Sequence, residues 1–261
     1  MGFEINRPLS VGGINPNIYV NQNHRYNSGF GNTLNADTFE QTSIDRFTNE
    51  RAIKRMIANN PRVRNIVSQY NPELKLNLTE LKELLANHAT DTQNITKGII
   101  EHLPYSIQTK IDAKAIEDAS YLHDLGKVLI PPEVLNKPAR LDEREQKIMQ
   151  THSEISYELL KNSGLSEKTL NLIRNHHQNA KRTGYPWVNK DFNADINLQI
   201  LSMADKYSAL TENRIYKAPL TPKEALTIIY QDVKEGKLHP FIFKALVSYA
   251  QDTTAEQVAK M

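Results

Sequence analysis

Histidine and aspartate side chains recur on, or next to, the apolar faces of several helix-like segments of this sequence. Each one alone would more often be a hydrogen-bonded core residue, since histidine is commonly half-buried with a satisfied polar tip. Several ionisable groups on different helices around one interior are costly to bury, however, unless a cation compensates them. The candidate metal ligands are His88, His123, Asp124, His152, His176, His177 and Asp205.

The residue types limit which ions could bind. The chain has no cysteine, so any metal must be held by imidazole nitrogens and carboxylate oxygens. Asp124 directly follows His123 at a predicted helix end, where both side chains can reach one centre and the carboxylate can bridge two cations. Imidazole-rich sites favour first-row transition metals, so Fe, Mn, Zn and Ni are stronger candidates than Mg.

Residues 121–131, which read YLHDLGKVLIP, resemble the HD superfamily signature in its HD-GYP form. Three later blocks agree with this family in order and spacing: His152, then His176-His177 leading into Gly184-Tyr185-Pro186, then residues 204–211 leading into 214–217. The resemblance covers about residues 78–249. It implies an all-α HD-domain helical bundle around a binuclear metal centre, with two divalent ions, Fe or alternatively Mn.

The resemblance also implies a metal-dependent phosphodiesterase that hydrolyses cyclic di-GMP or a related cyclic dinucleotide through a metal-bridging hydroxide. One metal would be bound by His88, His123, Asp124 and Asp205. Asp124 would bridge to a second metal, held by His152, His176 and His177. His102 lies on the same apolar stripe as His88 and is the alternative first ligand, while Leu84 stands where some family members have a glutamate for a third metal.

Four further residues are expected to touch substrate on the basis of the resemblance. Lys127 would contact the scissile phosphate and serve in catalysis beside Asp124, although a lysine at a helix C-terminus is also favoured by the helix dipole. Arg214 and Lys217 would bind the other phosphate, and otherwise would be ordinary surface charges. Tyr185 would stack on or bond near a guanine, or simply pack the turn.

The sequence departs from the family pattern near the Gly-Tyr-Pro turn. Gln178 stands where the family usually has a glutamate, and Lys181 and Arg182 stand where it has an Asp-Gly pair. Ser208 stands where the family commonly has a second aspartate. The two added cations are expected to make the lip of the site more basic, which puts the substrate identity and the turnover in question. A non-catalytic nucleotide- or partner-binding signalling module is therefore the first alternative. A di-iron HD-type oxygenase is the second, and Arg214 and Lys217 argue against it.

Amphipathic patterns predict the helices that must position these residues. Apolar residues recur at steps of three, four or seven along a stripe that includes His88 and Ile99, and Leu103-Pro104 would end this long helix. Further helices are predicted at about 111–125, 142–164, 170–176, 196–210, 221–233 and 240–249. No β-branched alternation bounded by turns is evident, so the predicted class is all-α.

Composition divides the chain and limits its partners. The first fifty residues contain nine asparagines and five of the ten glycines, a poor composition for a core. We predict a polar extended or disordered arm at 1–44, a short helical extension at 45–77, an HD-GYP-like catalytic domain at 78–251 and a tail at 252–261. The few apolar residues in the arm could dock on a second subunit, so a homodimer is one expected partner.

Charge and hydropathy exclude several classes of partner. With 32 Lys and Arg against 30 Asp and Glu, the net charge is +2, so we expect no duplex nucleic acid partner. No stretch approaches the roughly 18 apolar residues that a membrane helix needs, and no signal sequence is evident. We therefore expect a cytoplasmic protein without a membrane partner.

Overall fold

A computed structural model describes residues 46–212 and 218–259, and the regular elements in these ranges are helical, which confirms the all-α class. The helices are α1 (Glu50–Ala58), α2 (Pro61–Val67), α3 (Leu78–Leu84), α4 (Thr90–Glu101), α5 (Tyr105–Gln108), α6 (Ala113–Leu122), α7 (Pro132–Leu135), α8 (Glu143–Leu160), α9 (Glu167–Asn175), α10 (Ile196–Thr211), α11 (Pro222–Lys234) and α12 (Pro240–Ala259). A π-helical turn (Leu85–Ala89) joins α3 to α4, and a 3₁₀ turn (Leu125–Leu129) follows α6.

The core lies between α4, α6, α8, α9 and α10, whose apolar faces meet in the middle of the bundle. Its fully buried side chains include Ile99, Ile116, Leu122, Ile155, Ile173 and Ile200. Helices α1 and α2 pack on the far side of α8. The candidate ligands lie on these core helices or directly at their ends, where packing fixes the positions of side chains.

Local sequence signals set the starts of α8 and α11. Asp142 accepts from the Glu145 backbone N–H while the Glu145 carboxylate accepts from the Asp142 N–H, a reciprocal capping box. Thr221 and Glu224 form the same arrangement ahead of α11. Both caps are predicted by the sequence and are confirmed.

The stripe that includes His88 is confirmed as a helix, but it is not uniform. Residues Leu85–Ala89 form a π turn, in which one additional residue is accommodated between α3 and α4. Such turns have less favourable hydrogen-bond geometry than a regular α-helix, and they are found frequently at functional sites. Here the turn carries His88, which is buried.

Two helix ends differ from the sequence prediction. The predicted end near residue 125 is wrong, since α6 ends at Leu122 and Asp124 adopts φ −98° and ψ 6° before the 3₁₀ turn. The last helix does not end near Tyr249 but continues to Ala259, because residues 250–259 contain no glycine or proline and Ala250 is buried.

The proposed segment limits at 44, 77 and 251 stay predictions, and the arm at 1–44 lies outside the described residues. Among the described helices, none combines the length and the apolar character needed to cross a bilayer.

Candidate metal centre

Each predicted ligand occupies a defined place on a core element. His88 lies on the π turn, and His123 and Asp124 follow the last residue of α6. His152 lies in the middle of α8, Asp205 lies on α10, and the pair at 176–177 follows the last residue of α9. The structure brings all seven together at the centre of the bundle. They form two groups, one of His88, His123 and Asp205, and one of Asp124, His152, His176 and His177.

Within each group, nitrogen and oxygen atoms converge on a common point. In the first group, Asp205 Oδ1 lies 3.0 Å from His88 Nε2 and 3.6 Å from His123 Nε2. In the second group, His152 Nε2 lies 3.2 Å from His176 Nε2 and 3.1 Å from His177 Nε2. Distances of this kind fit atoms that surround an ion.

Asp124 lies between the two groups, with one carboxylate oxygen facing each. Its Oδ2 atom is 3.5 Å from His88 Nε2 and 3.4 Å from His123 Nε2. Its Oδ1 atom is 3.2 Å from His152 Nε2 and 3.9 Å from His176 Nε2. This is the geometry of a carboxylate that can bridge two cations.

Backbone carbonyls fix the orientation of three of the imidazoles. The Nδ1–H groups of His123, His152 and His176 donate to the carbonyl oxygens three residues earlier, at 2.9, 2.6 and 2.7 Å. A carbonyl can only accept, so each Nδ1 carries a proton, and the neutral form of each ring presents its Nε2 lone pair to the centre.

The donor set fits two divalent metal ions. The Nε2 atoms of His152 and His176 face each other at 3.2 Å while both Nδ1 atoms point to carbonyl oxygens, an arrangement that a cation between the two Nε2 atoms stabilises. In addition, His123 Nε2 and Asp124 Oδ1 are buried and have no hydrogen-bond partner among the described residues. Buried polar atoms of this kind call for an explanation, and five imidazoles with two carboxylates are a donor set suited to transition metals.

The charges of the centre are consistent with metal binding. Burial opposes ionisation of both carboxylates, but Lys127 and His123 keep the pKa of Asp124 well below its usual range. Hydrogen bonds from His123 and His88 do the same for the pKa of Asp205. Burial lowers the pKa of His123, and the two carboxylates outweigh this and raise it to about 10. Burial also lowers the pKa of His177 to about 3, so its ring is neutral, as a ligand must be.

The 3₁₀ turn after Asp124 is held against α8. Ser156 Oγ accepts from the Gly126 N–H at 2.8 Å and donates to the His152 carbonyl at 2.9 Å. A Cβ atom on Gly126 would lie 2.1 Å from that carbonyl oxygen. Glycine therefore allows the close approach that brings Asp124 next to His152.

The Gly-Tyr-Pro turn packs directly against the histidine pair. A Cβ on Gly184 would lie 1.9 Å from the His177 carbonyl oxygen, and the Tyr185 ring centroid is 4.4 Å from that of His177. Gln178 is buried, donates to the Pro186 carbonyl at 2.6 Å and accepts from the Gly184 N–H at 3.3 Å. The substitution at 178 thus supplies both a donor and an acceptor to hold the turn.

A cavity of about 680 Å³ opens onto the second group and is lined in part by Tyr185. Its cationic lining consists of Lys127, Lys137, Lys206 and Lys237. Lys181 and Arg182 are not among the described residues that line the cavity, and a basic lip formed by them stays a prediction. Arg182 instead donates to the Lys190 carbonyl.

The remaining predicted residues are placed as follows. Lys127 Nζ lies 2.5 Å from Asp124 Oδ2 and faces the cavity. His102 lies outside the centre, where its ring contacts the Gly98 carbonyl and Asp252. Arg214 and Lys217 fall in 213–217, outside the described residues.

Two residues near His88 were not recognised from the sequence as its partners. Glu212 Oε2 lies 2.8 Å and Ser208 Oγ 3.1 Å from His88 Nδ1. Burial lowers the pKa of His88, and hydrogen bonds to Asp205 and Glu212 outweigh this effect and raise it. Helical spacing could have identified Glu212, since it follows Asp205 by seven residues, which is two turns.

Comparison with known proteins finds cyclic dinucleotide phosphodiesterases that are similar to this chain. The chain is 26% identical over 179 residues to 3'3'-cGAMP-specific phosphodiesterase 1 of Vibrio cholerae, covering 68% of this chain and 41% of that protein. It is 29% identical over 181 residues to a cyclic di-GMP phosphodiesterase of Thermotoga maritima, covering 68% of this chain and 48% of that protein. The chain thus spans less than half the length of these curated relatives.

A solved structure and a family model support the same fold. Bd1817, an HDG"Y"P protein from Bdellovibrio bacteriovorus, superposes with a TM-score of 0.53 at 13% identity, covering 80% of this chain and 68% of that one. The family model described as HD domain matches residues 61–240, more than half of the sequence. With the two buried His and Asp groups at the centre of an all-helical bundle, the chain belongs to the HD-domain family and has cyclic dinucleotide phosphodiesterases among its relatives.

Proposed function

We propose that the protein is a metal-dependent phosphodiesterase that hydrolyses cyclic di-GMP or a related cyclic dinucleotide. The observation that carries this proposal is Asp124, whose two oxygens face two separate groups of ligands beside a lysine-lined cavity. The relatives named as cyclic di-GMP and 3'3'-cGAMP phosphodiesterases support the substrate class. Iron is the proposed metal, with manganese as the alternative.

The proposed ligands of the first ion are His88, His123, Asp124 and Asp205, and those of the second are Asp124, His152, His176 and His177. When bound, two such cations lower the pKa of a water nucleophile and neutralise charge on the phosphate. The protein supplies their spacing through Asp124. The buried surroundings strengthen every charge interaction made there.

Lys127, Tyr185, Arg214 and Lys217 are the proposed substrate-binding residues. Lys127 Nζ is next to Asp124 and on the cavity wall, so it can stabilise charge that develops on the scissile phosphate. The half-buried Tyr185 ring lies against His177 on the cavity wall, where a base can stack on it. Arg214 and Lys217 are proposed to bind the second phosphate.

Replacing Lys127 with methionine separates substrate chemistry from metal binding. We expect Lys127→Met to retain both metals, since it removes no proposed ligand, and to lower kcat by about 100- to 1,000-fold, the usual cost of losing one preorganised charge donor. Metal content and single-turnover rates measured on the same preparation check this. Loss of metal together with activity would instead make Lys127 part of the metal-holding structure.

The test of the proposed function is metal analysis of anaerobically purified protein, followed by turnover with a panel of cyclic dinucleotides. We expect two equivalents of Fe or Mn per chain and hydrolysis of at least one panel member to a linear product. Protein that holds both metals but leaves cyclic di-GMP and cyclic GMP-AMP intact would contradict the proposal. Ligand binding without metal would favour a non-catalytic module, and substrate-dependent O₂ consumption would favour an oxygenase.

A further inference from the structure

The His88 ring is oriented differently from those of His123, His152 and His176. Those rings donate to a backbone carbonyl three residues earlier, whereas the Leu85 carbonyl, three residues before His88, accepts from the Thr90 hydroxyl at 2.9 Å. The His88 Nδ1 atom instead faces the Glu212 carboxylate at 2.8 Å and the Ser208 hydroxyl at 3.1 Å. His88 is also the one of these four histidines that lies on the π turn.

The Glu212 carboxylate has a stronger effect on the ring than a carbonyl would have. Hydrogen bonds to an ionised acceptor are shorter and about twice as strong as neutral ones. A carboxylate behind an imidazole fixes which nitrogen carries the proton and makes the opposite nitrogen a better donor to a metal. The opposite nitrogen here is His88 Nε2, which points at Asp205 and Asp124.

Glu212 also marks the end of α10. Its backbone N–H donates to the Ser208 carbonyl at 2.8 Å, and its extended φ and ψ of −75° and 150° stop the helix there. The next residues, 213–217, carry Arg214 and Lys217. One side chain therefore connects the first group of ligands with the start of the segment proposed to bind substrate.

We propose that Glu212 is a positioning residue that orients His88 and tightens the metal bound by His88, His123 and Asp205. This inference rests on the proposed metal centre. Glu212 contacts neither the metal nor the substrate in this role, and acts through His88 Nδ1. Ser208, one helical turn earlier, holds the second position from which an acidic side chain could do the same.

The test is a calorimetric titration of Mn²⁺ into metal-free wild-type protein and into the metal-free Glu212→Gln variant. The variant keeps the size of the side chain and removes only its charge. We expect one of two dissociation constants to rise by about 10- to 100-fold, the usual effect of losing such a partner, with the other unchanged. Glu101→Gln, an exposed residue at the end of α4, is the matched control and should leave both constants unchanged.

A second variant distinguishes charge from packing. Adding Ser208→Asp to Glu212→Gln places a carboxylate beside the same Nδ1 atom, and we expect it to recover most of the lost affinity. A folded double variant that binds Mn²⁺ as weakly as Glu212→Gln would overturn the role of the charge. If wild type binds two Mn²⁺ ions and Glu212→Gln has the same two dissociation constants, only the role of Glu212 is overturned. If wild type takes up no Mn²⁺, the proposed metal centre is overturned as well.

Discussion

Asp124→Ala is expected to remove both metal ions and to lower phosphodiester hydrolysis by at least about a thousandfold, since charge stabilisation by such ions is worth several kcal/mol. The reason is the position of this carboxylate, because Oδ2 faces His88 and His123 while Oδ1 faces His152 and His176. Removing it takes one proposed ligand from each of the two ions at once. Metal content by mass spectrometry and turnover of the best panel substrate measure the two effects.

The matched control is Asp118→Ala, on the same helix as His123. Asp118 is also buried, but its carboxylate pairs with Lys114 at 2.7 Å and it belongs to neither ligand group. We expect this variant to keep two metals and its activity. Asp124→Asn, which preserves the shape but not the charge, should behave like Asp124→Ala. An Asp124→Ala protein that still holds two metals would rule out the bridging role.

Gly126→Ala is expected to lower the free energy of unfolding by about 3 kcal/mol, the upper part of the range for overpacking a core. The added methyl would lie 2.1 Å from the His152 carbonyl and 2.7 Å from the Ser156 nitrogen, so backbone and not merely a side chain must move. For a chain of this size the unfolding midpoint should fall by roughly 10 °C. Because the displaced backbone belongs to His152, we also expect weaker binding of the second metal.

Gly164→Ala provides the comparison for this variant. Gly164 has φ +85° and open space around the position of a Cβ, so alanine there meets backbone strain of about 1–2 kcal/mol but no clash. Thermal unfolding should show a smaller decrease than for Gly126→Ala, with both metals retained. Equal midpoints for wild type and Gly126→Ala would show that the turn is not held against α8 as tightly as the structure indicates.

The helix positions and the residues of the ligand cluster can be predicted from the sequence because both depend on short-range patterns. The caps at Asp142 and Thr221 are local chemistry, and spacing of apolar residues places His152 and Asp205 on inward faces. Grouping the ligands required the family resemblance. The roles of individual residues as ligands remain proposals, although their positions agree with the predicted two sets.

Other features depend on tertiary contacts that no local pattern encodes. The 3₁₀ turn that follows the early end of α6 is bonded through Gly126 to Ser156, which is thirty residues away in sequence. The lysines that line the cavity come from four separate segments, so no single stretch of sequence groups them. Glu212 was overlooked because its partner, His88, is far from it in the chain.

At the π turn Leu85–Ala89, a change that stabilises the helix would weaken the proposed metal centre. Deleting one residue there would restore a regular helix with better hydrogen bonds, while rotating His88 away from Asp124 and Asp205. Engineering that regularises helices to raise thermal stability would therefore select against the metal centre at this position. A stabilised form of this protein should keep the length of residues 85–89 unchanged.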